Sequence, residues 1–110
     1  MRMWLVDPKI MCRNHLLGEH LELHILASKV NAGEKIKGFI EHGLVDPCLA
    51  AERHGALVKE MQRRGYKHAS PLVEITGEKV KGCVDPEKNI RVLAERCEEC
   101  KKRIEKNTKH

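Results

Sequence analysis

The decapeptide HLLGEHLELH, residues 15–24, carries the densest set of reactive side chains in the sequence. On a helix, His15, Glu19 and Glu22 share one face by i, i+4 and i+7 spacing, and Lys29 falls near the same stripe. Leu16, Leu23, Ala27 and Val30 lie to one side of it, Leu17, Leu21 and Ile25 to the other. A helix apolar on both flanks with carboxylates between them reads as a central helix, packed on two sides, with a polar cleft left open. The amine of Met1 is read together with this stripe. His20, His24 and Ser28 make a second polar stripe. Its histidines, at i and i+4, suit metal ligation, with Cys97-x-x-Cys100 as thiolate donors and Cys83 as the only nearby addition.

The elements that would position these groups begin at a repeated tripeptide. Val-Asp-Pro occurs at 6–8, 45–47 and 84–86. An Asp carboxylate caps free N–H groups and Pro fits the first helical position, so each copy is an expected helix entrance. The residues after the three copies differ, so the repetition is one of cap chemistry and not of a structural unit. The first helical region is expected from about Pro8 to Asn31, with a break admitted near Cys12–Asn14, ending before Gly33. The second runs from Pro47 to Arg64, with Gly65 as C-cap. On it Ala50, His54, Leu57, Val58 and Met61 share a face, and His54 reads as a hydrogen-bonded core histidine. The third runs from Pro86 to about residue 107. There Ile90, Leu93, Cys97, Cys100 and Ile104 form an a/d seam, a setting in which buried cysteine acts as a small apolar residue. Two similar basic turns, GEKIKG at 33–38 and GEKVKG at 77–82, lie between the helices, and the LVEI run at 72–75 is a strand or an extended cover. The expectation is an all-α single domain, residues 1–110, of three main helices with basic connecting loops.

At 110 residues the chain suffices for one core. Trp4, Phe39 and Tyr66 are the only aromatics, so that core must be aliphatic. A net charge of +5 favours an anionic partner. No 18-residue apolar run is present and the N-terminus lacks a signal-peptide apolar region, so the expected location is cytoplasmic, with the five cysteines reduced.

The run Arg2 to Val6, then Asn14-His15-Leu16 and Glu19-x-x-Glu22-Leu23, resembles the pyrimidine-dimer DNA glycosylases of the phage endonuclease V type. Gly33, Lys35 and Lys37 fit that family's basic turn, and Arg53 through Tyr66 is similar to its second helix, ending in a basic pair, Gly and an aromatic. The likeness covers roughly residues 1–75. The sequence departs from it at Leu21, where the family has an arginine, and in the C-terminal part, where a Cys- and Lys-rich helix replaces an aromatic tail.

The resemblance implies chemistry without a cofactor or metal. The N-terminal α-amine attacks C1′ of the damaged nucleotide, expels the base and forms a Schiff base, and β-elimination then breaks the strand. An α-amine suits this role because its ordinary pKa, about 7.7–8.0, leaves an appreciable neutral fraction near neutrality. Arg2 is too large for ordinary removal of the initiator, so the retained Met1 falls at the nucleophile's position and Glu22 at that of the family's essential glutamate. The implied DNA-binding residues are Arg2, Asn14, His15, Lys35, Lys37, Arg63 and Arg64, with Arg13 and Lys67 as further phosphate contacts. The implied partner is damaged double-stranded DNA, met by a monomer without a membrane. Two other readings stand beside it: a non-catalytic DNA binder of the same fold, and a small metal-binding module using His and Cys.

Overall fold

Asp7, Asp46 and Asp85 each accept hydrogen bonds from backbone N–H groups just ahead of them, of Lys9, Cys48, and Glu87 with Lys88, at 3.0–3.2 Å. All three Val-Asp-Pro entrances are therefore real caps. A computed structural model describes residues 1–67, 71–76 and 81–108. After a 3-10 turn, Pro8–Ile10, come α1 (Arg13–Asn31), α2 (Lys37–Glu41), a second 3-10 turn (Pro47–Leu49), α3 (Ala50–Arg63), α4 (Pro86–Arg96) and α5 (Glu98–Thr108). The all-α class holds, with no strand among the described residues. The break before α1 falls at Cys12, its N-cap. Gly65 follows α3 in the left-handed region (φ 80°), and the Tyr66 N–H closes back onto the Met61 carbonyl at 2.8 Å, the C-terminal lock expected of that glycine.

Three expectations are corrected. The third helix is not continuous: Cys97 adopts an extended conformation (φ −134°, ψ 111°) that divides it into α4 and α5. The a/d seam read through Cys97 and Cys100 thus belongs to two helices. Secondly, α1 is fully packed on one flank only, Leu17 of the other being half-buried against the core. Leu16, Leu23, Leu26, Ala27 and Val30 are buried, α3 lies along the helix, and Leu21 and Ile25 of the other flank remain 61 % and 41 % exposed. Thirdly, α2 is an added element, one turn and a half that half-buries Phe39 and Ile40. The 71–76 segment is the extended cover: Asn31 donates to the Glu74 carbonyl at 2.9 Å and accepts from the Thr76 N–H at 2.7 Å, with Ile75 buried beneath. The second basic turn lies, for 77–80, outside the described residues.

The first six residues are part of the core. Met3, Trp4 and Val6 are buried, and the Met3 N–H donates to the Leu44 carbonyl at 2.7 Å. That brings the segment 44–46 against residue 82, where Gly82 donates to the Asp46 carboxylate at 3.1 Å. A Cβ on Gly82 would run into the Val45 carbonyl oxygen, which is backbone and has no rotamer to yield. Gly82→Ala is therefore expected to destabilise the protein by about 1–3 kcal/mol, read as a lower urea midpoint at unchanged slope.

Candidate active site

The segment Met1–Val6 reaches its place through a corner at Leu5, whose φ of 53° is the only positive value at a non-glycine residue among those described. Left-handed backbone costs a leucine about 1–2 kcal/mol, so the corner must be held from outside. It is gripped on both sides: Asn89 Nδ2 donates to the Trp4 carbonyl at 2.7 Å, and Arg53 Nη1 to the Val6 carbonyl at 2.6 Å. The grips come from α4 and α3, so two helices distant in sequence fix the start of the chain against α1.

There the Arg2 N–H donates to Glu22 Oε2 at 3.1 Å. The Met1 nitrogen is separated from that amide nitrogen by only Cα and C, which confines it to within about 4 Å of it. Met1 and Glu22 are both half-buried. The Arg2 guanidinium lies 4.0 Å from the Trp4 ring centroid and donates to Asn89 Oδ1 at 2.6 Å. Burial and the nearby Arg96 lower its pKa, and Glu22 opposes them. Beside it opens a cavity of about 370 Å³, whose wall includes Arg2, His42, Lys88, Asn89 and Arg96, with Asp85 as the acidic member. Asn89 and Arg96 were missed at the level of sequence, since nothing local marks a polar residue of α4 as reaching the chain start.

Glu19, the other carboxylate of the stripe, does not face the cleft. It is buried, and Arg53 grips it at 2.6 and 3.0 Å. The open acidic stripe thus reduces to Glu22. The expected phosphate contacts divide in the same way. Asn14, Lys35 and Lys37 are exposed, Lys37 within 3.6 Å of Glu41. Arg63 is exposed while bonded to Glu60 at 2.6–2.7 Å, and Arg13 lies over Tyr66. Arg64 is turned inward: it donates to Glu60 and to the carbonyls of Pro8 and Met11 at 2.7–3.0 Å, ties that hold the first turn to α3 and leave it withdrawn from any phosphate. Hydrogen bonds from Arg63 and Arg64 outweigh burial and hold the Glu60 carboxyl down to about 2.

Two further clusters emerge. His20, His24 and His54 cluster across α1 and α3 with ring centroids 4.9–5.2 Å apart, His24 meeting the other two edge-on. The core histidine expected at 54 thus sits in a histidine layer. Separately, His15 points Nδ1 at Cys12 Sγ (3.2 Å) and Cys100 Sγ (3.5 Å), while Cys97 Sγ lies 3.8 Å from Cys12 Sγ. Burial pushes the Cys100 thiol up to about 12; at Cys97 burial acts in the same direction but hydrogen bonds from Cys100, Cys12 and Glu99 outweigh it and lower the thiol. The sequence pairing of His20 and His24 with Cys97 and Cys100 is not formed; each pair joins a different group.

No curated protein and no solved structure matches the chain. A family model, pyrimidine dimer DNA glycosylase, matches residues 1–73, a span that holds Met1, Arg2, Glu22, Arg53 and the basic pair at 63–64. No described helix is long and apolar enough to cross a membrane. With most of its length matched, from the first residue through α3 into the extended cover, the chain belongs to the pyrimidine dimer DNA glycosylase family.

Proposed function

We propose that this protein is a base-excision repair enzyme for ultraviolet-damaged DNA, with glycosylase and abasic-lyase steps run by the Met1 amine and Glu22. The observation that carries this reading is the hydrogen bond from the Arg2 N–H to Glu22, which keeps the first amine of the chain beside a half-buried carboxylate. The neutral amine attacks C1′, the glycosidic C–N bond breaks, and the pyrimidine parts from its sugar with a proton, still joined in a dimer to its neighbour. Opening of the sugar gives a protonated imine between Met1 and C1′. Loss of the C2′ proton then drives out the 3′ phosphate and cuts the strand, and water releases the product from the amine. Glu22 faces the cation formed at C1′ and is the group placed to relay protons around the imine.

DNA reaches this chemistry only with a nucleotide out of the stack. Leu21 and Ile25, exposed at i and i+4 beside Glu22, are the apolar ridge suited to fill the vacated space. Arg2, Asn14, Lys35, Lys37 and Arg63 are proposed DNA contacts; His15, its Nδ1 turned onto Cys12 and Cys100, is not among them, and Arg2 with Lys88 and Arg96 makes a cationic wall beside the chain start.

The test is borohydride reduction in the presence of duplexes holding an abasic site or a pyrimidine dimer, followed by peptide mass spectrometry. The expected adduct is on the residue 1 amine and disappears after selective acetylation of that amine. Binding without an adduct would make the protein a non-catalytic binder, and an adduct on a lysine would assign the nucleophile elsewhere.

A further inference from the structure

We propose that Cys12, His15, Cys97 and Cys100 hold a structural zinc ion, which staples α4 and α5 to the start of α1. The inference is independent of the repair reading, because it rests on the donor set and its placement alone.

The four residues are two copies of one arrangement. Cys12 is the N-cap of α1 and His15 stands three residues on; Cys97 directly precedes α5 and Cys100 stands three residues on. In each copy the capping sulfur accepts the N–H of the third residue, His15 at 3.4 Å and Cys100 at 3.5 Å. Cysteine is not a preferred cap, and its presence at both helix starts calls for another reason. The Cys12 N–H also donates to Cys100 Sγ at 3.2 Å. Each sulfur therefore accepts a backbone N–H, and two helix N-termini converge on the cluster.

The spacing is that of a coordination shell. Zinc bonds of about 2.3 Å to sulfur and 2.0–2.1 Å to nitrogen, set tetrahedrally, imply edges of roughly 3.8 Å between sulfurs and 3.5 Å between sulfur and nitrogen. The observed edges are 3.8 Å for Cys97–Cys12, 3.5 Å for Cys100–His15 and 3.2 Å for Cys12–His15. All four donor atoms lie within 4.8 Å of one another. Three sulfurs and one imidazole form a closed, borderline-soft set, which suits a structural zinc better than the oxygen-seeking cations.

Packing gives α5 few attachments: Cys100 is buried, Ile104 lies against the core and Arg103 donates to the Lys9 carbonyl at 3.3 Å. Its sequence, EECKKRIEKNT, offers Cys100 and Ile104 as its only apolar residues, and eleven residues are too few for a helix to persist in water unaided. Zinc would supply a further attachment. It would also fix the wall of the candidate active site, because the His15 ring meets Trp4 edge-on at 5.7 Å and Trp4 carries the Arg2 guanidinium. His15 then acts as a positioning residue behind Arg2, with Nδ1 on the metal.

The full chain, purified under reducing conditions, is expected to contain one zinc ion per molecule by elemental analysis, and a chelator is expected to lower its melting temperature. Cobalt exchanged into the site should give the visible bands of a tetrahedral centre and charge-transfer intensity for three thiolates. Cys97→Ser should lose the metal, the pair Cys48→Ser and Cys83→Ser should keep it, and His15→Cys should keep it with a four-thiolate cobalt spectrum. The wild-type spectrum decides the matter even where a variant fails to fold. Metal-free protein with free thiols overturns the proposal. So does a disulfide among the three cysteines, or metal that survives Cys97→Ser and requires His20 and His24.

Discussion

Glu22→Gln is expected to leave a folded protein that binds damaged duplex normally, while strand cleavage falls by a factor of about 10²–10⁴. The amide oxygen of glutamine still accepts the Arg2 N–H, so the chain start keeps its place in α1's cleft. Arg2 keeps its other partners, Asn89 Oδ1 and the Trp4 ring, so no buried cation is stranded and stability should move by no more than about 1 kcal/mol. The substitution removes the negative charge facing the sugar cation and the oxygen that takes and returns protons at the imine. Binding is measured by fluorescence anisotropy and cleavage on a duplex carrying one defined lesion. Equal losses in both would make Glu22 a support for DNA binding; unchanged cleavage would remove it from the chemistry.

The helix entrances are legible in the sequence because their signal is local: an Asp carboxylate reaches N–H groups two or three residues on, wherever the helix later packs. Gly65 is legible for the same reason. The division at Cys97 is not, since one extended residue between two helices changes neither composition nor apolar spacing, and no Gly or Pro marks it. In the candidate site, Arg2 and Glu22 are singled out by a resemblance at fixed distance from the chain start, and a hydrogen bond joins the two. Helical spacing places Glu19 and Glu22 on one stripe but cannot separate their fates. Glu19 is buried by Arg53, 34 residues on, whose neighbours in sequence give no hint that it points inward. His15 is a similar case: its partner Cys12 is three residues away, but Cys100 reaches it through a contact that spans 85 residues.

Arg53→Met is expected to cost about 3–5 kcal/mol, a large part of the 5–15 kcal/mol that holds a domain of this size. The reason is the state in which it leaves Glu19, whose side chain is fully buried and has both oxygens on this guanidinium. Without it the carboxylate must stay charged in an apolar setting or take up a proton to fold. Glu19→Gln alone should cost less, because the amide oxygen still accepts from Arg53. Replacing both, Glu19→Met with Arg53→Met, should recover most of the loss, since desolvation of two ions offsets most of their attraction. The double-mutant cycle from urea denaturation is therefore expected to give a coupling of several kcal/mol, and additivity within about 0.5 kcal/mol would refute the pairing. Cleavage is expected to stay low in the double variant even where stability returns. Arg53 also binds the Val6 carbonyl at 2.6 Å, on one side of the left-handed corner at Leu5. With only Asn89 left to hold that corner, the leucine can relax toward ordinary backbone geometry, and the Met1 amine moves away from Glu22.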